Sequence, residues 1–218
     1  MSEPIKKLIS WIRDSAASAH TLLVPVSGGS DSAFCFWLCS NAFPEKTIGV
    51  HAGRSLRRRD WFESCGNIEY IDIPGEYSER EEMRWARFLA LSIHHRAWLV
   101  GSRNRTEDQL GTYSLSSRVA AFFPLIGLWK SKVMELCKEI DVPKEITVSS
   151  MRADPDCGRP EKLAEIPFPT IELFLKVRVG ELPKESFISL TEEQRIYLDT
   201  IYTGNLFKKN LPIRGPFF

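Results

Sequence analysis

Near the N-terminus, Ile5, Leu8, Ile9 and Ile12 recur at three- and four-residue spacing, with Lys6, Lys7, Arg13 and Asp14 between them. That stripe predicts an amphipathic helix over residues 3–18. The period then changes. Residues 21–26 form a short, unbroken apolar run that reads as a strand buried on both faces, and residues 33–40 form an apolar helix after the hexapeptide SGGSDS at 27–32. Further strands are expected at 47–51 (TIGVH), 68–73 (IEYIDI) and 97–100 (AWLV), with a helix over 78–94 between the last two. A fifth strand is expected at 122–126 and another helix at 130–140.

Strands alternating with helices imply right-handed crossovers, hence an α/β fold with a doubly wound, Rossmann-like parallel sheet and helices on both faces. After Asp141-Val142-Pro143 the texture changes, because prolines at 143, 155, 160, 167, 169, 183, 212 and 216 break the chain into short helices and loops. We read residues 1–218 as one domain, with 143–218 as its Pro-interrupted helical appendage.

Composition narrows the class without naming a function. With 29 Lys+Arg against 28 Asp+Glu over 218 residues, the net charge of +1 gives no bulk electrostatic case for nucleic acid or membrane. An apolar fraction of 43% lies far from the regime of disorder. The N-terminus has no signal-peptide core, and no stretch approaches the roughly 20 apolar residues of a membrane span. The five cysteines (35, 39, 65, 137 and 157) form no CxxC pair and read as reduced structural thiols. A soluble, cytoplasmic protein is the expectation.

SGGSDS carries the chemistry. Gly28 and Gly29 let the backbone turn sharply and bring amide groups close to an anion, and the next helix aims its N-terminus at the same point. Ser27, Ser30 and Ser32 add hydroxyl donors, whereas Asp31 would repel phosphate unless a hard cation such as Mg²⁺ stood between them. The loop matches neither GxGxxG nor GxxxxGK[ST], which disfavours the dinucleotide and P-loop readings. A plain Gly-Gly turn with Ser30 as helix cap is the structural alternative.

SGGSDS resembles the SGGxDS signature of the PP-loop, or N-type, ATP pyrophosphatases, whose fold is the adenine nucleotide alpha hydrolase-like variant of the Rossmann sheet. Within them the chain resembles the ammonia-dependent NAD synthetases, in patches from Leu8 to about Lys209. VGSRNRTED (100–108) is similar to the family's GT-x-N-x-x-E segment, and PLIGLWKSKVMELCKEIDVPKEI (124–146) to its block around a phosphate-binding lysine. Arg152-Ala153-Asp154 stands at Ser/Thr-Ala-Asp, residues 165–175 at an E-L-G-type helix, and Phe207-Lys208-Lys209 at the C-terminal H/F-K-R.

This resemblance implies an ATP-dependent ligase. A carboxylate, in deamido-NAD or a related acid, attacks the α-phosphorus of ATP to give an acyl-adenylate and pyrophosphate, and ammonia then displaces AMP. Ser27, Gly28, Gly29, Ser30 and Ser32 would cradle the phosphates, Ser102 would contact the nucleotide, Asp31 and Glu107 would hold Mg²⁺, and Lys130 would place a positive charge on ATP. Arg84, Arg118, Arg152, Asp154 and Lys208 are candidate acceptor contacts. The resemblance also implies a homodimer, with ammonia either free or delivered by a separate glutaminase.

One segment departs from the pattern. Where the family has K-Y/F-G-D-G, this chain has Leu115-Ser116-Ser117-Arg118, without the glycines or the aspartate. Loss of an acid and gain of Arg118, together with Arg152, suggest a more anionic acceptor. Arg54, Arg57, Arg58 and Arg59 read as a solvated helix start, a phosphate clamp or an RNA contact. Trp61 and Phe62 suit a base stack or a core, His51 stands at a strand end near the nucleotide, and His94 and His95 suit a helix cap. Two other functions stay open: adenylation of a tRNA base or another small acid, and an inactive nucleotide-binding scaffold.

Overall fold

The computed structural model describes residues 1–53, 55–73, 80–149 and 160–210. Arg54, Arg152, Asp154 and Cys157 lie outside the described residues. The first element, α1 (Glu3–Ser15), buries Ile5, Ile9 and Ile12 along its apolar stripe. β1 (Thr21–Pro25), α2 (Ser30–Ala42), β2 (Thr47–Ala52), α3 (Arg59–Cys65), β3 (Asn67–Ile71), α4 (Glu81–His94), β4 (Ala97–Leu99) and α5 (Arg105–Leu110) follow. Then come α6 (Lys130–Glu139), α7 (Lys144–Ser149), α8 (Glu161–Ala164), α9 (Phe168–Arg178) and α10 (Glu192–Gly204).

The four strands among the described residues are parallel, in the order β3-β2-β1-β4. β1 lies inside the sheet, so its alternate side chains enter different cores. Leu22 and Val24 join the core beneath α1, α2 and α6, whereas Leu23 joins Val50, Leu99 and Phe88 of α4 on the opposite face. Helices therefore cover both faces. α2 has buried residues on every side, among them Phe34, Phe36, Leu38 and Cys39, which explains why its sequence shows no polar stripe.

The expected fifth strand does not form. Phe122 makes one isolated parallel bridge to Val100, and residues 124–127 form a turn. Pro124 brings no backbone donor, and the amides of Ile126 and Leu128 bond back to Phe123 and Leu125 across 3.4 and 2.9 Å. Helices α8 to α10 gather a separate apolar cluster around Phe174, Leu175 and Leu198, to which α5 contributes Leu110. Residues 163–198 thus gather an apolar cluster joined by Leu110, whereas Ile146 of α7 packs in the core beneath α1, α2 and α6.

Candidate active site

In this sheet the strand order reverses between β1 and β4, because α2 leads outward to β2 and the later crossover returns to the other side of β1. The carboxyl ends of those two strands splay their loops apart and open a crevice. SGGSDS leaves β1 there, and residues 100–104 leave β4 beside it.

Gly28 holds φ of +85°, a left-handed conformation, and a Cβ at that position would touch Leu56 at 3.4 Å. The chain thereby turns directly into α2, whose N-cap is Gly29. Ser32 closes the loop: its hydroxyl donates to the Gly29 carbonyl at 3.0 Å and accepts from the Ser27 amide at 3.2 Å. These bonds fix the first turn of α2 toward the crevice, where its amides and dipole favour an anion.

Asp31 stands on that turn and is shared by two partners. Its Oδ2 pairs with Lys130 Nζ, and its Oδ1 accepts from Asn104 Nδ2 at 3.0 Å. Lys130 also donates to Ser30 Oγ at 2.7 Å and is only 4% exposed. Asn104 caps α5 reciprocally: its side chain accepts from the Glu107 amide at 3.0 Å, and Glu107 Oε2 accepts from the Asn104 amide at 3.2 Å. The cap thus brings Glu107 toward Asp31. Burial, reinforced by the charge of Asp31, pushes the Glu107 carboxyl up to about 7. Two acids facing one crevice beside phosphate-directed donors suit Mg²⁺, which takes one or two carboxylates and completes its shell with phosphate oxygens and water. Among the described residues no third His, Cys, Asp or Glu joins them in a metal-binding group.

The lysine is braced from behind. Its amide donates to Thr106 Oγ1 at 2.9 Å, and the adjoining Ser131 amide donates to Glu172 Oε1 at 2.7 Å, with Ser131 Oγ bonded to Glu172 Oε2. Glu172, 2% exposed on α9, therefore sits as a buried anion on the N-terminus of α6.

A cavity of about 1100 Å³ opens over this cluster and is lined by Ser27, Gly29, Ser102, Glu107, Lys130 and Arg84, among others. His51 and Arg57 also reach it. His51 binds the Val26 carbonyl through Nδ1 at 2.8 Å, while Arg58 and Arg59 form surface ion pairs with Asp60, Glu145 and Glu63. Trp61 and Phe62 pack on the core, and His94 and His95 end α4 as expected, with His95 near Glu69. Arg118 and Lys208 lie apart from the cluster, around a neighbouring cavity, and Arg118 donates to the Lys208 carbonyl at 2.8 Å. Of the described thiols, Cys35, Cys39 and Cys137 are buried, Cys65 is partly buried, and all are free.

No protein-family model matches the chain. A curated NH3-dependent NAD⁺ synthetase of Carboxydothermus hydrogenoformans is 46% identical over 182 aligned positions, covering 69% of this chain and 75% of that protein. The chain belongs to the NH3-dependent NAD synthetase family. The corresponding protein of Thermococcus sibiricus is 26% identical across 97% of this chain and 96% of its own length. Two solved structures share the fold almost end to end. NMN synthetase of Francisella tularensis has a TM-score of 0.78 at 19% identity, covering 98% of this chain and 97% of its own. NH3-dependent NAD synthetase of Campylobacter jejuni has 0.74 at 17%, covering 97% of each. This NAD synthetase-like chain is accordingly an ATP-dependent ligase of the amide-forming kind. Ser27, Gly28, Gly29, Asp31, Ser32, Ser102, Glu107, Lys130 and Arg84 converge on its crevice. Ser30, fully buried, does not line it and instead accepts from Lys130. Asn104, Thr106 and Glu172 belong to the site although the sequence did not mark them. For Asn104 a signal exists, since Asn-x-x-Glu after a strand is a capping box.

Proposed function

We propose that the chain uses ATP to activate the carboxylate of a nicotinate nucleotide, deamido-NAD or a related acid, and converts it to the amide with ammonia. The observation that carries this reading is the convergence of Asp31, Lys130, Asn104 and Glu107 on the N-terminus of α2 at the switch point. A carboxylate oxygen attacks the α-phosphorus, the bond from that phosphorus to the bridging oxygen breaks, and pyrophosphate leaves with the electron pair. Ammonia then adds to the acyl carbon, AMP departs with the C–O electrons, and the surplus proton passes to solvent.

The residues act by position and charge. Ser27, Gly28, Gly29 and Ser32 receive the departing pyrophosphate at the end of α2, Ser102 holds the nucleotide across the crevice, and the fully buried Ser30 acts only through Lys130. Asp31 and Glu107 would hold Mg²⁺, which when bound neutralises phosphate charge and eases departure of the leaving group. Lys130 gives its ammonium to the phosphates while Ser30 keeps it aimed. Arg84, which lines the same cavity, would meet the acceptor.

A homodimer belongs to the same reading. Met83, Leu89 and Ile93 on α4, with Leu115 and Val119 on the adjoining turn of helix, expose apolar surface that a second copy would cover. No described helix is long and apolar enough to cross a membrane. Residues 143–218 then serve as an appendage within one domain.

The decisive assay combines the protein with ATP, Mg²⁺, ammonium chloride and deamido-NAD or nicotinate mononucleotide, and measures AMP, pyrophosphate and amide in equal amounts. AMP without amide would point to adenylation of another acceptor. Absence of AMP with both acids would overturn the reading.

A further inference from the structure

Resting on the proposed amidation, we infer that Arg103 and the small cavity behind it bind a phosphate monoester of the acceptor, so that this chain prefers a mononucleotide acid to a dinucleotide. Arg103 follows β4, directly between Ser102 and Asn104. Its side chain is 10% exposed, with the guanidinium 3.8 Å from the Tyr113 ring centre and 4.6 Å from that of Phe123. Gly101 makes this stack feasible, since a Cβ there would stand 2.2 Å from the Phe123 ring.

The two rings fix the guanidinium plane without satisfying its donors. Asp108 meets Nη1 at 3.4 Å, whereas Nε is buried and has no hydrogen-bond partner among the described residues. A guanidinium carries five N–H donors in a fork that matches an oxyanion, and leaving them unmet in a buried place is costly. The fold therefore tolerates a charge-binding group that the protein itself does not saturate.

Arg103 divides two cavities and lines both, together with Tyr113 and Phe123. The larger one holds the ATP-directed cluster. The smaller, of about 440 Å³, gathers Arg103, Arg118, Lys208 and Lys209 against the single carboxylate of Asp108. Lys208 Nζ donates to the Gly111 and Tyr113 carbonyls at 2.7 and 2.9 Å, both neutral partners, and Glu81 acts on its charge only from a distance. Burial accordingly lowers the Lys208 pKa. Among the described lining residues four cations face one acid, Asp108, with Glu81 acting on Lys208 from outside the lining, a balance that favours a polyvalent anion. The acceptor's carboxylate is committed to the α-phosphorus over SGGSDS, so the group that reaches the second cavity is the far end of the molecule. A terminal phosphate brings two charges there, while a diphosphate diester brings fewer per phosphorus and must carry a second nucleoside out of the same space.

Kinetics with both acids test this. The wild-type enzyme is expected to show higher kcat/KM for nicotinate mononucleotide than for deamido-NAD. Ribose 5-phosphate should inhibit competitively against the acceptor and not against ATP. Arg103→Met should raise KM for the mononucleotide by about tenfold, the loss of one charge-assisted pair, with KM for ATP changed less than about twofold. Arg103→Lys should recover part of that loss. Equal damage to both KM values, or ribose 5-phosphate that competes with ATP or does not bind by calorimetry, would overturn the subsite. The calorimetric arm needs neither variant nor turnover. If neither acid yields AMP, the amidation reading fails, and binding of ribose 5-phosphate still decides the subsite separately.

Discussion

Glu107 is tied to its helix by the capping bonds with Asn104 and faced by Asp31, and burial pushes its carboxyl up to about 7. Its protonated form is the one that this fold accommodates. The contribution to stability is therefore complete at low pH and is lost as pH rises through about 7. A shift from 4.5 to about 7 corresponds to about 3 kcal/mol by linkage. Glu107→Gln, neutral throughout, should melt higher than wild type at pH 8 in chelator, with no advantage at pH 4, while losing Mg²⁺-dependent turnover. A variant no more stable at pH 8 would show that the carboxylate is not strained there. In the Asp31–Lys130 pair each partner offsets the charge of the other. Lys130→Met leaves the part-buried Asp31 carboxylate with Asn104 but without its cation and should cost about 1–3 kcal/mol. The double variant Asp31→Asn/Lys130→Met should recover part of the melting temperature and none of the activity; additive losses in a double-mutant cycle would mean that the two do not interact. Asp31, Glu107 and Lys130 were all legible from their motifs. Asn104 and Arg103 were less so, since the significance of Asn104 lies in a bond to a residue 73 positions away.

At the scale of elements, α6 shows how a helix is aimed. Its N-terminus has no capping side chain of its own from Trp129, and Glu172 of α9 supplies the anion instead. Glu172→Ala would strand the Ser131 amide and loosen Thr106, at about 1–3 kcal/mol for the unmet donor. The expected kinetic sign is a raised KM for ATP with the acceptor KM little changed, partly restored in Glu172→Gln; unchanged kinetics beside a lowered melting temperature would make Glu172 purely structural. Periodicity located α1, β1, β2 and β4 to within a few residues because each is defined by its own apolar spacing. It missed at 122–126, where an apolar run signals burial but not extension: Phe122 and Leu125 are buried, yet the amides that would pair a strand close a turn. Apolar runs report which residues leave water, whereas hydrogen-bond partners decide whether they do so as a strand.

For the whole molecule, the question is whether residues after Pro143 form an appendage within one cooperative unit or a body that melts alone. Their apolar cluster has buried members of its own, Phe174 and Leu198 among them, which favours independence. The bonds across the boundary favour unity. Leu110 of α5 and Trp129 beside α6 pack into that cluster, Glu172 caps α6, Arg105 pairs with Glu181, and Lys208 fastens to Gly111 and Tyr113. Each of these joins a tail residue to a segment that borders the crevice, so opening the tail would expose Leu110 and unseat Lys130 together. Leu198→Ala should therefore lower a single unfolding transition by about 2–5 kcal/mol, the cost of a large-to-small change in a packed interior, and Leu22→Ala in the sheet should lower the same transition. Scanning calorimetry distinguishes the two cases: one transition moved by both variants makes the tail part of the domain, and two transitions, each moved by only one variant, separate them. In the first outcome ATP should raise the melting temperature of the whole protein, since a ligand held at α2 and Lys130 stabilises every element that unfolds with them.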